Sequence, residues 1–222
     1  MKDKILTVLF GIAVFFFIIT FSIGLPIYCR FFYYLQIEPL NIPQATGYDY
    51  ETIKEAFDQL LNYLTMPNQP FGTGVFSYTE AGKAHFVDCK ALFDLNALVL
   101  IISSLIIAVV LILSKLGKVK LLRPFGMNVA FISAICIFVI IFILGIVIAV
   151  DFKQAFVLFH KLLFPGKDNW VFSTADEIIT ALPTQFFMNC AILIGASIVI
   201  ISLFIIIFQL IKKSKSKKSQ SV

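Results

Sequence analysis

The sequence predicts an all-α membrane protein: four transmembrane helices with an extracytoplasmic, partly amphipathic helical cap and both termini cytoplasmic. Three observations predict it. Hydrophobic residues make up 59% of the 222 and charged residues only 14%, with 25 Phe, where a soluble domain averages about 45–50% apolar and about 25% charged. So few charges cannot cover a water-facing surface, which excludes a soluble enzyme and a disordered regulator; four Cys are too few for a disulfide-stapled mini-protein. Four uncharged runs, 5–29, 95–114, 125–150 and 186–211, each reach the length of about 20 residues that a helix needs to cross hydrocarbon. Lipid offers the backbone no hydrogen-bond partners, so each run is expected to be helical.

The third observation is how the charges divide between the remaining segments. The ends 1–4 and 212–222 and the loop 115–124 hold eleven of the 18 Lys/Arg (Lys2, Lys4, Lys115, Lys118, Lys120, Arg123, Lys212, Lys213, Lys215, Lys217, Lys218) and one acid, Asp3. Segments 30–94 and 151–185 hold the other seven basic residues and twelve acids. The positive-inside rule therefore places the first set in the cytoplasm and the two longer segments outside. The net +5 resolves into +10 within and −5 without. Basic groups so placed suit anionic lipid headgroups, and no nucleic-acid partner is needed to explain them.

The first run reads as a retained anchor. It is far longer than the about 7–15 apolar residues of a signal peptide, and Tyr28 stands before Cys29 where a lipoprotein cleavage box needs a small residue. Phe15-Phe16-Phe17 is lipid-facing or packing surface. Segment 30–94 is too long for a bare connector. Within 51–64, Ile53, Phe57, Leu60, Leu61 and Leu64 share one helical face while Lys54, Glu55 and Asp58 fall elsewhere, an amphipathic helix. Stretch 67–74, with Pro70, Gly72 and Gly74, is loop; nothing after its Gly-x-Gly supports phosphate binding.

Ser77-Tyr78-Thr79-Glu80 has the capping-box pattern, and no breaker follows before the second run ends, so one helix is expected from about 78 to 114. His85 lies ten residues before Leu95, about 15 Å above the apolar run at 1.5 Å per residue. Asp88, Cys89 and Leu92 share its face. In the third run Cys136 reads as a small core residue. Beyond it Asp151, Phe152, Ala155, Phe156, Phe159, Leu162 and Leu163 again form a helical pattern, ended by Pro165-Gly166. If that helix continues from the third run, His160 also stands about 15 Å above the core boundary. Trp170 suits an interface, and Pro183 suits the first turn of the last helix.

The protein has two histidines, and both fall in the outer segments. Imidazole titrates near neutrality, so two at one depth, beside the Asp88 carboxylate, could form a general base and a polarising partner. The plainer reading is two interfacial residues with satisfied hydrogen bonds. Zinc on His85, His160 and Asp88 is a rival, but neither H-x-x-x-H nor H-E-x-x-H spacing occurs. Cys29 and Cys89 both fall on the oxidising side and could pair; Cys190 lies near the outer end of the last run; no C-x-x-C exists. The runs carry no ionisable side chain of a proton relay, which argues against a proton-driven transporter and assigns any chemistry to the outer face.

At His85-Phe86-Val87-Asp88-Cys89-Lys90-Ala91-Leu92-Phe93 and Phe159-His160-Lys161-Leu162-Leu163-Phe164-Pro165-Gly166, with Asn169-Trp170-Val171-Phe172 following, the chain resembles the lipoprotein intramolecular transacylase (Lit) family. Those are bacterial integral membrane enzymes, and the resemblance spans nearly the whole chain. It departs at Cys89, where an aliphatic residue such as Val is expected. The resemblance implies transfer of the sn-2 acyl chain of a diacylglyceryl-lipoprotein to the α-amino group of its own N-terminal cysteine, giving the lyso form. It also implies His85 and His160 as catalytic residues, a site on the outer face of the plasma membrane, and no cofactor or metal. Asp88, Asn169 and Trp170 would line or support the site, with Asp88 orienting His85. Either histidine could serve as base. The expected partners are the S-diacylglyceryl lipoprotein substrate and membrane lipid, and the expected oligomeric state is a monomer. Two other readings compete: a non-enzymatic membrane assembly or transporter-accessory protein, and a metal-dependent lipid hydrolase or acyltransferase.

Overall fold

The computed structural model describes residues 1–220, with side chains through Lys212. Lys213, Lys215, Lys217 and Lys218, counted above in the basic tail, lie outside the described side chains. Every regular element among the described residues is helical: α1 (Lys2–Tyr28), α2 (Phe31–Tyr34), α3 (Ile42–Thr46), α4 (Tyr50–Thr65), α5 (Glu80–Lys115), α6 (Val129–Val150), α7 (Phe152–Leu163) and α8 (Thr184–Gln220). Short 3₁₀ turns occur at Pro124–Gly126 and Glu177–Thr180. Helices α1, α5, α6 and α8 are long and apolar enough to cross a membrane. The chain divides into two compact units: 1–23, 97–146 and 194 onward form the first, 24–96 and 147–193 the second.

In the first unit α1 is the central helix. Of its most apolar stretch 44% is buried, against 11–17% in the other three. Phe10, Val14 and Ile18 of α1 pack with Val110 of α5, Ile137 of α6 and Ile198 of α8. The α1–α6 contact is close because Gly11 leaves room: a methyl group there would strike the Val129 side chain, and Ser133 Oγ donates to the Gly11 carbonyl at 2.8 Å. Small residues let spanning helices approach in this way, since lipid tails give apolar side chains no reason to leave them. The segment after α5 is tied to the start of α1. Lys120 N donates to Asp3 Oδ1 at 3.3 Å, Leu122 N to Thr7 Oγ1 at 3.0 Å, and Lys2 Nζ to the Lys118 carbonyl at 3.3 Å. Cys136, read as a core residue, is exposed: α6 is apolar all round, so its sequence holds no mark of which face turns inward.

The second unit is a helical cap around an aromatic core. Helix α4 begins at Asp49, whose carboxylate accepts from Thr52 N at 2.8 Å as an N-cap. It buries Ile53, Ala56, Phe57, Leu60, Leu61 and Leu64, the face that the apolar spacing marks. Tyr33 stacks on Phe57 with ring centroids 3.8 Å apart, meets Phe186 edge-on, and its buried hydroxyl donates to the Ala181 carbonyl at 2.7 Å. On the opposite face of α4, Arg30 bonds Asp58 at 2.8 Å and Asn62 at 2.5 Å.

Two helix boundaries differ from the sequence expectation. The cap of α5 is Thr79, not Ser77: Thr79 Oγ1 accepts from Gly82 N at 3.0 Å, and Ser77 Oγ donates instead to the Ala175 carbonyl at 2.9 Å. Helix α7 does not continue α6. Asp151 is extended (φ −155°, ψ 95°) and its side chain accepts from Gln154 N at 3.0 Å, so it caps a new helix and His160 is placed by α7 alone.

Candidate active site

Both histidines belong to the cap unit and both are buried, His85 at 5% exposure and His160 at 8%. His85 stands on the N-terminal part of α5, before the apolar run; His160 is in the last turn of α7. Their ring centroids are 5.8 Å apart, close enough for one ester and one proton path between them. The walls are aromatic. Phe164 and Phe172 meet His85 edge-on at 4.9 and 5.5 Å, while Phe156 and Trp170 lie 4.2 and 5.0 Å from His160. Gly166, at φ 74°, turns the chain after α7 so that loop 164–172 can supply three of these rings.

The polar atoms are few and specifically engaged. His160 Nδ1 donates to the Phe156 carbonyl at 2.8 Å, one helical turn back. A neutral imidazole carries one N–H, so Nε2 of His160 holds the free lone pair. His85 Nε2 faces Cys89 Sγ at 3.4 Å, and His85 Nδ1 is buried with no partner. Asp88 does not bond His85. Its two oxygens accept from Lys167 Nζ at 2.5 Å and Asn169 Nδ2 at 3.0 Å, which fastens loop 164–172 to α5. Asn169 is thereby held by its amide nitrogen, and its Oδ1 is buried without a partner. Trp170 Nε1 donates to the Lys167 carbonyl at 2.9 Å, fixing the indole beside His160. Within the cap unit, His85 Nδ1 and Asn169 Oδ1 are the only described side-chain atoms buried without a partner. Natural proteins rarely leave such atoms orphaned unless a ligand or a reaction uses them.

Burial sets the electrostatics. Desolvation first, then the neighbouring His160 and Lys167, and against the opposing pull of Asp88, bring the His85 pKa down to about 4. Desolvation also lowers His160, against the opposing hydrogen bond to Phe156. Hydrogen bonds from Lys167 and Asn169 hold the Asp88 carboxyl below its usual range. Both imidazoles are therefore neutral at physiological pH, as a base and a neutral donor require. No group of three or more His, Cys, Asp or Glu among the described residues is arranged to hold a metal ion. All four cysteines are free thiols, Cys29 and Cys89 included.

Three features of the site were not drawn from the sequence. Lys167 shares the Asp88 carboxylate across 79 residues. Asp176, 2% exposed, accepts from N and Oγ1 of Thr79 and from N and Oγ of Ser173 at 2.7–2.9 Å. That clamp joins the start of α5 to the strand of loop carrying Phe172, and Gly82 is required there because any side chain would collide with Asp176 Oδ1. The third is the approach of Cys89 Sγ to His85 Nε2; the i,i+4 spacing puts both residues on one face without specifying that pairing.

The model of the family described as lipoprotein intramolecular transacylase Lit matches residues 8–187. The solved structure of the membrane-integral lipoprotein intramolecular transacylase Lit from Bacillus cereus superposes with a TM-score of 0.83 at 27% identity, covering 96% of this chain and 98% of that one. Two further structures of the B. cereus protein, with one histidine replaced by arginine or by alanine, superpose with TM-scores of 0.75 at 27% identity. The arginine form covers 97% of this chain and 95% of that one, the alanine form 96% of each. No curated protein matches the chain.

Proposed function

The chain belongs to the lipoprotein intramolecular transacylase family, and on that premise we propose that its paired histidines move the sn-2 acyl chain of a diacylglyceryl-lipoprotein to that lipoprotein's own α-amino group. The observation that carries this reading is the pair of neutral imidazoles 5.8 Å apart, surrounded by aromatic rings, with His85 Nδ1 and Asn169 Oδ1 buried without partners. The site is assigned to the extracytoplasmic face of a multi-pass plasma-membrane protein. The division of charge supports that side, since the basic residues gather in the terminal segments and the loop 115–124.

The reaction needs a neutral amine, a donor for the developing oxyanion and a proton carrier to the leaving oxygen. An α-amine with a pKa of about 7.7–8.0 is partly neutral at physiological pH, and a dry apolar chamber favours that form. The amine nitrogen attacks the sn-2 carbonyl carbon, forming the C–N bond. His85 Nδ1–H donates to the oxyanion, a contribution that depends on being aimed before charge develops. His160 Nε2, with its lone pair free, takes the proton from the nitrogen and returns it to the glycerol oxygen as the ester C–O bond breaks. The products are the N-acyl amide and a free sn-2 hydroxyl, with no net proton change. Asn169 Oδ1 accepts a hydrogen bond from the attacking amine and is held in place by Asp88. Because amine and ester belong to one molecule, the chamber folds a single substrate and gains the rate advantage of proximity.

The test is substitution of each histidine by alanine or asparagine in cells, with lipoprotein N-termini read by mass spectrometry. Loss of the lyso form in every variant is expected. Full lyso-form production by a His85 or a His160 variant would overturn the scheme.

A further inference from the structure

Cys89 lies one turn beyond His85 on α5, with Sγ 3.4 Å from His85 Nε2. Elsewhere it touches the apolar core of the cap. Burial pushes its thiol pKa up to about 12, so the sulfur keeps its proton. A protonated thiol is a donor, if a weak one, and a neutral imidazole must accept at one nitrogen while carrying hydrogen on the other. The partnerless nitrogen of His85, Nδ1, is on the far side of the ring from the sulfur.

We propose that Cys89 is a positioning residue: its S–H donates to His85 Nε2 and so holds the ring in the tautomer whose proton sits on Nδ1, facing the chamber. The inference rests on the transacylase reading for its catalytic meaning, because only that reading makes the Nδ1 proton an oxyanion donor. The tautomer itself does not depend on it. Without the thiol, His85 Nε2 would be a second atom of that ring lacking a partner, and the ring would no longer be biased toward Nδ1–H. The two histidines would thus reach the same protonation pattern, hydrogen on Nδ1 and lone pair on Nε2, through different anchors: a backbone carbonyl for His160 and a thiol for His85. They would present opposite ends to the substrate.

The experiment uses the full-length enzyme, carrying a histidine-free tag, labelled with [¹⁵N]histidine and held in phospholipid nanodiscs. The chain has two histidines, so ring-nitrogen spectra assign readily with a His160→Asn variant. In the unsubstituted enzyme near pH 7, His85 is expected to show a protonated Nδ1 and a bare Nε2. Cys89→Val, similar in volume but without a donor, should shift that ring toward the other tautomer. It should also lower kcat about three- to tenfold with KM unchanged, the range of one modest hydrogen bond. Cys89→Ser, which keeps a donor, should retain the tautomer and most of kcat; a merely structural thiol would not separate Ser from Val in that direction. A proton found on Nε2 in the unsubstituted enzyme overturns the proposal, and so does a Cys89→Val enzyme with unchanged tautomer and kcat. If Cys89→Val fails to fold, the unsubstituted and Cys89→Ser spectra still decide. Active histidine-to-alanine variants, with the Nδ1–H tautomer found in the unsubstituted enzyme, would reject the transacylase scheme and leave the thiol anchor standing.

Discussion

The spanning unit and the cap unit bury different chemistry. In the first, a small, mainly aliphatic cluster around α1 is supplemented by close backbone approach at Gly11 and a buried hydroxyl bond from Ser133. In the second, stacked and edge-on rings surround α4, and buried polar atoms are matched across long sequence separations by Asp176, Asp88 and Tyr33. The difference follows from the solvents. Water drives apolar side chains together in the cap, whereas lipid tails leave packing and hydrogen bonds to hold the spans. Each unit buries two partnerless polar atoms: the hydroxyls of Ser22 and Ser202 in the spans, and in the cap His85 Nδ1 and Asn169 Oδ1, which lie together at the proposed site.

The strongest way to break this contrast is to remove one of the two histidines of the proposed site. His160→Ala should slow acyl transfer about 10²- to 10⁴-fold, the range for a positioned acid–base group. His85→Ala should cost about 10²- to 10³-fold, the range of one oxyanion donor. Steady-state turnover of a diacylglyceryl-cysteinyl peptide measures both. If either variant instead unfolded the cap, that histidine would belong to the core rather than the site.

Next in size is the clamp. Asp176→Ala leaves the buried amides of Thr79 and Ser173 without their acceptor, and should destabilise the cap by about 3 kcal/mol. Thermal unfolding followed by near-ultraviolet circular dichroism would show the aromatic signal lost early while helicity from the spans persists. Simultaneous loss of both would mean that the two units do not unfold separately.

The third prediction is a pH dependence. Burial lowers both imidazoles, so on acidification the unfolded chain takes up their protons before the folded protein does. The contribution to stability is therefore fully present above the unfolded value of about 6.5. For His85 it is lost as pH falls from there to about 4 and is constant below. Unfolding midpoints measured across that window should drop with pH and drop less in His85→Ala. A smaller effect closes the series: Ser133→Ala, in the spans, should cost about 0.6 kcal/mol, typical of interhelical bonds in bilayers. A loss as large as that of Asp176→Ala would dissolve the contrast between the units.

The legible parts of this molecule are those written in local period. The four apolar runs, the buried face of α4 and the shared face of His85 and Cys89 all follow from residues three or four apart. The partner of Asp88 was not legible: periodicity places it one turn from His85, but Lys167 and Asn169 compete for its oxygens from a distant loop. The break at Asp151 was half legible, since an acidic residue after an apolar run is an N-cap signal as well as a span end. The clamp at Asp176 needed tertiary contact with Thr79, and without it Gly82 reads as any helix glycine. Cys136 shows the converse, where a helix apolar on every side carries no pattern to read.

Trp170 has a use beyond the wall it forms. It is the only tryptophan in the chain, and its ring lies 5.0 Å from His160. The intrinsic indole emission of this protein therefore originates beside His160, at the proposed site. Entry of an acyl chain, departure of the amide product or charging of the neighbouring imidazole each changes the surroundings of that one fluorophore. The molecule carries its own optical gauge of occupancy, readable in intact membranes without a label.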